Sequence, residues 1–351
     1  MKRSPDEYPT SAFDYELPPG QIARYPAEQR DRSRLLVLRK SSGAIEHRVF
    51  HELIDLIPPG DALVLNETRV FPARLLGRRE SGAEAEVLLL RPTATVTEWE
   101  ALVRPGAKLK PGKFVTVADD FRVEMLGAAD DHGGARNVRL HTSLPVSEAI
   151  ALYGRVPLPP YIERAAEPAD LERYQTVYAA REGSVAAPTA GLHFTRALLD
   201  ELTARDVALV RVTLHVGVGT FRPVETEDPS EHPMHEEQFD VSEESAAQLN
   251  AVRARGGKIW AVGTTVTRTL ETVCDDAGVF RARRGATRLF IRPPYSFKGI
   301  DRLITNFHLP RSTLLMLVAA FAGYDHVMTA YRTASDEGYR FYSYGDAMAI
   351  V

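Results

Sequence analysis

The chain of 351 residues holds a single cysteine, Cys274. One thiol excludes an internal disulfide, a cysteine-based structural zinc site and any iron–sulfur cluster, since each needs several thiolates. No metal and a cytoplasmic location are the expectation. Long apolar runs are also missing: the longest, Thr313 to Ala322, is half the ~20 residues that a membrane-spanning helix needs, so no membrane contact is expected. Ser312 can cap that run and Gly323 follows it where a left-handed residue would end a helix, so it reads as a buried helix in a soluble protein. The N-terminus has no apolar stretch behind its basic start and does not resemble a secretory signal. Charge of one sign is scarce as well. The formal net charge of −4 argues against a chain that coats nucleic acid non-specifically.

What is present is ordinary globular composition, with 44% hydrophobic and 26% charged residues, 24 glycines and 23 prolines, and a length that suggests two domains. The charges are unevenly placed. Eight basic residues lie between Arg281 and Arg311 against Asp301 alone, whereas residues 225–244 carry nine acids and no Lys or Arg. Basic and acidic faces follow from this. Residues 83–142 break into short alternating segments (AEVLLL, KFVTV, FRVEM, NVRL) separated by Gly and Pro turns, which predicts a small β-barrel or sandwich. Beyond Pro157–Pro160, strand-like runs (208–216, 258–263) alternate with helical stretches (196–205, 242–255, 265–276). The first ~65 residues add the strand-like runs LLVLRK and ALVLNE. The fold class expected is α/β: a discontinuous α/β catalytic domain of residues 1–70 and 155–351 with a small all-β, barrel-like domain inserted at 71–154.

Five segments carry chemistry-bearing residues, and each admits a bland reading beside a functional one. In Ala187-Pro188-Thr189-Ala190-Gly191-Leu192-His193-Phe194 small residues allow backbone to approach a ligand, and His193 is either a proton-transfer group or a histidine satisfied by the core. Leu214-His215-Val216-Gly217-Val218-Gly219 ends a predicted strand, where open α/β sheets present ligand sites, yet lacks the third glycine of a dinucleotide fingerprint. His232-Pro233-Met234-His235-Glu236-Glu237 resembles a metal site, but Pro233 spoils the helical face that two ligands would share. Gly263-Thr264-Thr265, with Arg268 beyond, stands at a strand-to-helix junction that can hold an anion or merely cap the helix. Finally Thr305-Asn306-Phe307-His308 lies inside the basic stretch, a mixture suited to an unstacked base near phosphates or to a capped approach to the 313–322 helix.

Together these segments resemble one family. The motifs FDYELP, NETRVFPARL, LPPYI, AAPTAGLHF, TLHVGVGTFRPV, HPMHEE, AVGTTVTRTLE, TNFHLPRSTLLMLVAAFAG and YRFYSYGDAM run in order through nearly the whole chain. They are similar to the QueA family, the S-adenosylmethionine:tRNA ribosyltransferase-isomerases of queuosine biosynthesis. Pro293-Pro294-Tyr295 departs from the Pro-Gly-aromatic pattern of that family. The resemblance implies S-adenosylmethionine as a consumed co-substrate and, as partner, a tRNA bearing 7-aminomethyl-7-deazaguanine at the wobble position. The ribosyl group would be transferred and isomerised to give epoxyqueuosine, with adenine and methionine released, and the chain is expected to act as a monomer.

That chemistry asks for deprotonation beside a sulfonium, protonation of departing adenine and attack by an amine, all acid–base tasks. His193 and His215, with Glu237 and His235 as second candidates, are the expected catalytic groups. Thr189, Gly191, Gly217, Gly219, Thr264 and Thr265 are expected around S-adenosylmethionine. For tRNA the expected contacts are Arg69, Arg74, Arg268, Arg292 and Arg311, with Asn306, Phe307, His308 and Phe194 at the base. A passive RNA-binding module would need no titratable pocket, and a methyltransferase would leave its methyl group on the product.

Overall fold

The computed structural model describes residues 8–93, 95–129, 134–217 and 224–351. Strands β1 (Arg34–Leu38) and β2 (Ile45–Val49) form a hairpin, and β3 (Ala62–Asn66) follows. In β3 the side chains of Leu63 and Leu65 enter one core while Ala62 and Val64 enter another. Both faces of this strand are buried, which is why its apolar run is continuous instead of alternating.

After β4 (Thr68–Val70) the chain enters a closed antiparallel barrel made of β5 (Arg74–Arg79), β6 (Glu84–Pro92), β7 (Glu98–Arg104), β8 (Phe114–Ala118), β9 (Phe121–Ala128) and β10 (Arg136–Thr142). Alternation dictates its interior: Phe121, Val123 and Met125 of β9 point inward, and Arg122 between them is exposed. The barrel is an insertion. Its entrance and exit lie side by side, with the Arg74 amide donating to the Arg155 carbonyl at 3.1 Å and the Arg155 amide donating back at 2.9 Å.

The remainder returns to the sheet through α1 (Val146–Tyr153), α2 (Asp170–Arg173), β11 (Arg181–Ser184, paired with β4), α3 (Arg196–Ala204), β12 (Ala208–Leu214), β13 (Glu237–Val241), α4 (Glu243–Ala254), β14 (Ile259–Val262), α5 (Thr264–Val273), β15 (Arg283–Thr287), β16 (Arg302–Asn306), α6 (Thr313–Ala322), α7 (Tyr324–Asp336) and β17 (Ala347–Ile350). The nine-stranded mixed sheet has the order β15-β13-β12-β3-β14-β16-β17-β1-β2. Helix α3 and the 3₁₀ turn Phe50–Asp55 cover one face, and α4, α5, α6 and α7 cover the other.

The expected helices and strands therefore form, with ends shifted by one to three residues. Ser312 caps α6 by accepting from the Leu315 amide at 3.2 Å, and Gly323 closes it at φ 90°. Helix α7 is absent from the sequence reading. It leaves Gly323 at 118° to α6, and no single described helix is long and apolar enough to cross a membrane.

Candidate active-site cleft

Strands β12, β3, β14 and β16 are mutually parallel neighbours. Their carboxyl ends, Leu214, Asn66, Val262 and Asn306, therefore lie along one edge, the place where open α/β sheets bind ligands. A cleft of about 630 Å³, its mouth included, opens there. The Pro188–Ala190 turn, the start of α5, the segment after β16 and the pair Tyr342-Ser343 wall it, and Tyr161 completes the rim.

Each wall has a local cause. The chain leaves β14 through Gly263 at φ 92°, a left-handed conformation that glycine adopts without strain, and turns at once into α5. Thr264 and Thr265, in the first turn of that helix, line the cleft, where unpaired amides and the positive end of the helix dipole favour an anion. One turn on, the buried Arg268 is ion-paired with the buried Glu237 of β13. Its guanidinium lies close enough to His308 to disfavour a charge there.

His308 is the histidine that borders the cleft. Its Nε2 lies 2.8 Å from Thr305 Oγ1, and among the described residues Nδ1 has no hydrogen-bond partner. Burial, with the Arg268 charge second, lowers its pKa to about 3, so the ring is neutral. Beside it, Asn306 Oδ1 and Tyr342 Oη are buried with no hydrogen-bond partner. Each such group costs roughly 1–3 kcal/mol while it stays unpaired. The Tyr342 backbone is itself strained, at φ 72°, and its ring lies 4.5 Å from that of Tyr161.

His193 sits behind this wall. Asn306 Nδ2 donates both to the Tyr342 carbonyl and to His193 Nε2, each at 3.1 Å. Nε2 must then accept, which puts the proton on Nδ1 and lets it donate to Ser33 Oγ at 2.7 Å. Stacked on Phe50 at 5.0 Å and pushed to a pKa of about 3 mainly by burial, His193 is a neutral, fully satisfied core histidine that orients Asn306. From the sequence it is expected to transfer a proton; in this arrangement both of its ring nitrogens are engaged by protein groups.

Several other expectations move. His215 packs off the cleft, 3.0 Å from Thr68 Oγ1, and a Cβ at Gly183 would come within 2.7 Å of its ring. Burial lowers its pKa, helped by Arg284 and Arg181. His235 is half-buried ahead of β13, and Glu237 is committed to Arg268, so Arg268 is not a surface ligand for phosphate. Gly191 is small because a Cβ would strike the Tyr178 hydroxyl, a packing reason and not a ligand one. Gly217 stands in open space and Gly219 lies outside the described residues. Phe194 and Phe307 are fully buried, the first edge-on to Phe50 and the second among Tyr331, Tyr339 and Phe341, so neither ring can stack a base.

Thr189 does line the cleft. Arg69 is exposed, its guanidinium donating to the Ala179 carbonyl at 3.1 Å. Arg74 is held by Leu158 and Glu86 at the barrel entrance. Arg311 is half-buried near Glu227 at 3.7 Å, and Arg292 is half-buried too. Tyr161, Tyr342 and Ser343 were not singled out from their residue types, because a tyrosine or serine carries no spacing signal. Among the described residues no group of three or more His, Cys, Asp or Glu side chains is placed to share a metal ion.

Comparison with known proteins agrees along the whole chain. The model of a family described as queuosine biosynthesis protein matches residues 10–350. A curated S-adenosylmethionine:tRNA ribosyltransferase-isomerase of Symbiobacterium thermophilum is 55% identical over 343 residues, covering 97% of this chain and 99% of that relative. One from Syntrophomonas wolfei is 51% identical over 351 residues, covering 99% of each. Among solved structures, the crystal structure of an S-adenosylmethionine tRNA ribosyltransferase from Thermotoga maritima matches with a TM-score of 0.55 at 40% identity, covering 97% of this chain and all of that one.

Proposed function

The chain belongs to the queuosine biosynthesis protein family and is an S-adenosylmethionine:tRNA ribosyltransferase-isomerase, and from that premise we propose that the cleft at the carboxyl ends of the parallel strands is where the ribosyl group is transferred. The observation that carries the assignment is the unpaired, buried Asn306 Oδ1 and Tyr342 Oη on the cleft wall. An acceptor and a donor kept dry and unsatisfied are what a polar substrate edge would complete, and the native structure holds them at a cost.

In this reading the first turn of α5 receives the methionyl carboxylate of S-adenosylmethionine, with Thr264 and Thr265 supplying hydroxyls and Thr189 facing them from the other wall. Tyr161, half-buried on the rim, offers its ring to a base in place of the buried Phe194 and Phe307, with the buried Tyr342 packed behind it. His308, held neutral and open at Nδ1, hydrogen-bonds and orients the reacting groups at the cleft wall, a polarising role that a ring with so low a pKa can fill without taking up a proton. His193 acts through Asn306, as a positioning residue. His215 and His235 stand outside these contacts, and Glu237 contributes by fixing Arg268 beneath the cleft. The aminomethyl nitrogen of the modified wobble base attacks the ribosyl carbon skeleton as adenine and methionine depart. We further take residues 71–154 as the inserted domain and residues 1–70 with 155–351 as the catalytic one, a division supported by the paired entrance and exit at Arg74 and Arg155.

The test is incubation with S-adenosylmethionine and tRNA carrying 7-aminomethyl-7-deazaguanine, with products read by mass spectrometry. Free adenine, free methionine and the modified nucleoside should rise in equal amounts. A methylated nucleoside with S-adenosylhomocysteine would overturn the reaction. Wild-type rates from a His308→Ala variant would overturn the site.

A further inference from the structure

On the far side of His193 from the cleft lies a second, smaller cavity of about 260 Å³, lined among others by Arg30, Ser33, Arg173, Ser343 and Tyr344. Its two arginines are unusual for a folded interior. Arg30 donates to the carbonyls of Leu192 at 3.1 Å and Glu172 at 2.8 Å, and Arg173 donates to those of Glu28 at 2.9 Å and Ala27. Neither makes an ion pair with a carboxylate among the described residues. Each guanidinium has five N–H donors, so these backbone contacts hold it in place and leave donors over. Arg173 Nε is buried with no partner at all. Burial, with the neighbouring Arg173 charge second, lowers the pKa of Arg30, and the Glu172 carboxylate offsets this only in part. A protein that merely needed structural arginines there would pair them with acids, as it does at Arg164 and Asp170 close by.

The cavity is coupled to the cleft by one side chain's width. Ser343 borders both. The chain of hydrogen bonds from Asn306 Nδ2 to His193 Nε2, from His193 Nδ1 to Ser33 Oγ, and from Ser33 Oγ to the Arg30 carbonyl at 3.4 Å runs from one to the other. Arg30 opens a 3₁₀ turn, Arg30–Arg32, whose last residue, Arg32, is exposed and adds positive charge next to the cavity in the chain.

We propose that Arg30 and Arg173 form a phosphodiester-binding pocket that grips the tRNA backbone next to the nucleotide whose base enters the cleft. The proposal rests on the functional reading above, since it takes the anion from the tRNA. A base lifted out of a single-stranded loop brings its own phosphate with it, and a dianchored guanidinium pair recognises that group by bidentate contact. The pocket would therefore set the register of the loop and leave S-adenosylmethionine untouched.

Adenine release by the wild-type chain is measured first, so that failure of the reaction is separated from failure of the pocket. Filter binding of tRNA across a salt series is then compared for the wild type, Arg30→Met, Arg173→Met, the double variant and Arg255→Met, whose exposed side chain follows α4 at the opposite edge of the sheet. Each pocket variant should weaken tRNA binding about 5- to 10-fold near 0.1 M salt and lower the log–log salt slope by about one, with the double variant near two. The KM for S-adenosylmethionine and the rate at saturating tRNA should hold, and Arg255→Met should leave the slope alone. Arg30→Lys and Arg173→Lys keep the charge and should restore the slope in part. Because a Met variant can fail to fold, the wild type is also treated with phenylglyoxal: an anticodon stem-loop should protect Arg30 and Arg173, and S-adenosylmethionine should not. An unchanged slope, absence of protection by the stem-loop, or a raised KM for S-adenosylmethionine at constant tRNA affinity would each overturn the proposal, the last by assigning the pocket to the methionyl carboxylate.

Discussion

The barrel and the cleft edge of the large sheet are built from the same material, short strands of alternating or continuous apolar residues, yet they treat polar groups in opposite ways. Inside the barrel Leu75, Val87, Leu89, Val115, Phe121, Val123, Val138 and Leu140 fill the lumen. Most of its ion pairs stand outside, as Arg139 with Glu98 at 2.7 Å and Lys113 with Glu80 at 2.9 Å, and the buried Glu100 is paired with Arg91 at 2.8 Å. At the cleft edge the polar groups are buried and linked. Arg268 meets Glu237 in the interior, His193 is held on both nitrogens, and Asn306 and Tyr342 keep atoms unpaired. A closed barrel has no strand ends facing a common crevice, whereas four parallel strands that stop together must leave one. The barrel thus reads as a filled accessory to an edge where the fold carries buried polarity for chemistry.

The largest effect that would sharpen this contrast comes from Glu237→Ala. It strands the buried Arg268 guanidinium and should cost about 3–5 kcal/mol, read as a sharp fall in melting temperature, whereas a surface-like response would break the contrast. His308→Ala should next lower the rate of adenine release about 100-fold with little change in melting temperature, since the ring borders the cleft and has a single hydrogen bond through Nε2 to Thr305. A drop confined to stability would refute its role.

Smaller still is a pH effect. His193 and His308 titrate near 6.5 when unfolded and near 3 when folded. The unfolded chain therefore binds more protons between those values, so stability is complete above pH 6.5 and falls as pH drops toward 3. The loss amounts to about 1.4 kcal/mol per pH unit for each histidine. Urea unfolding between pH 5 and 7 should show it, and His193→Gln should lower the slope, with His308, His215 and His232, whose pKa values burial also lowers, supplying the rest; a flat profile would mean that none of these rings is held neutral. Least of all, Glu98→Ala on the barrel should leave the melting temperature within experimental scatter.

Much of the fold was legible in the sequence because periodicity reports burial locally. The alternation of FRVEM placed Phe121, Val123 and Met125 in the barrel, and the run 313–322 with Ser312 and Gly323 at its ends defined α6 to the residue. The site was legible only as segments. Thr189, Thr264, Thr265, Asn306 and His308 do meet at one cleft, since each follows a strand or opens a turn at the same sheet edge. Helix α7 escaped notice because its apolar residues are spaced among Thr, Asp and Arg and its register depends on the bend at Gly323.

By itself the sequence determined most of the elements, the inserted barrel and the family, because these rest on local pattern and on motifs in order. Only the tertiary structure decided which side chains face the cleft. Arg268 is neutralised by a carboxylate 31 residues away, His193 is satisfied by Ser33 across 160 residues, and Phe307 is enclosed by Tyr331, Tyr339 and Phe341. Whether a histidine is a base, a strut or a wall depends on which remote groups reach its two nitrogens, and that is set by packing between elements and not by its neighbours along the chain.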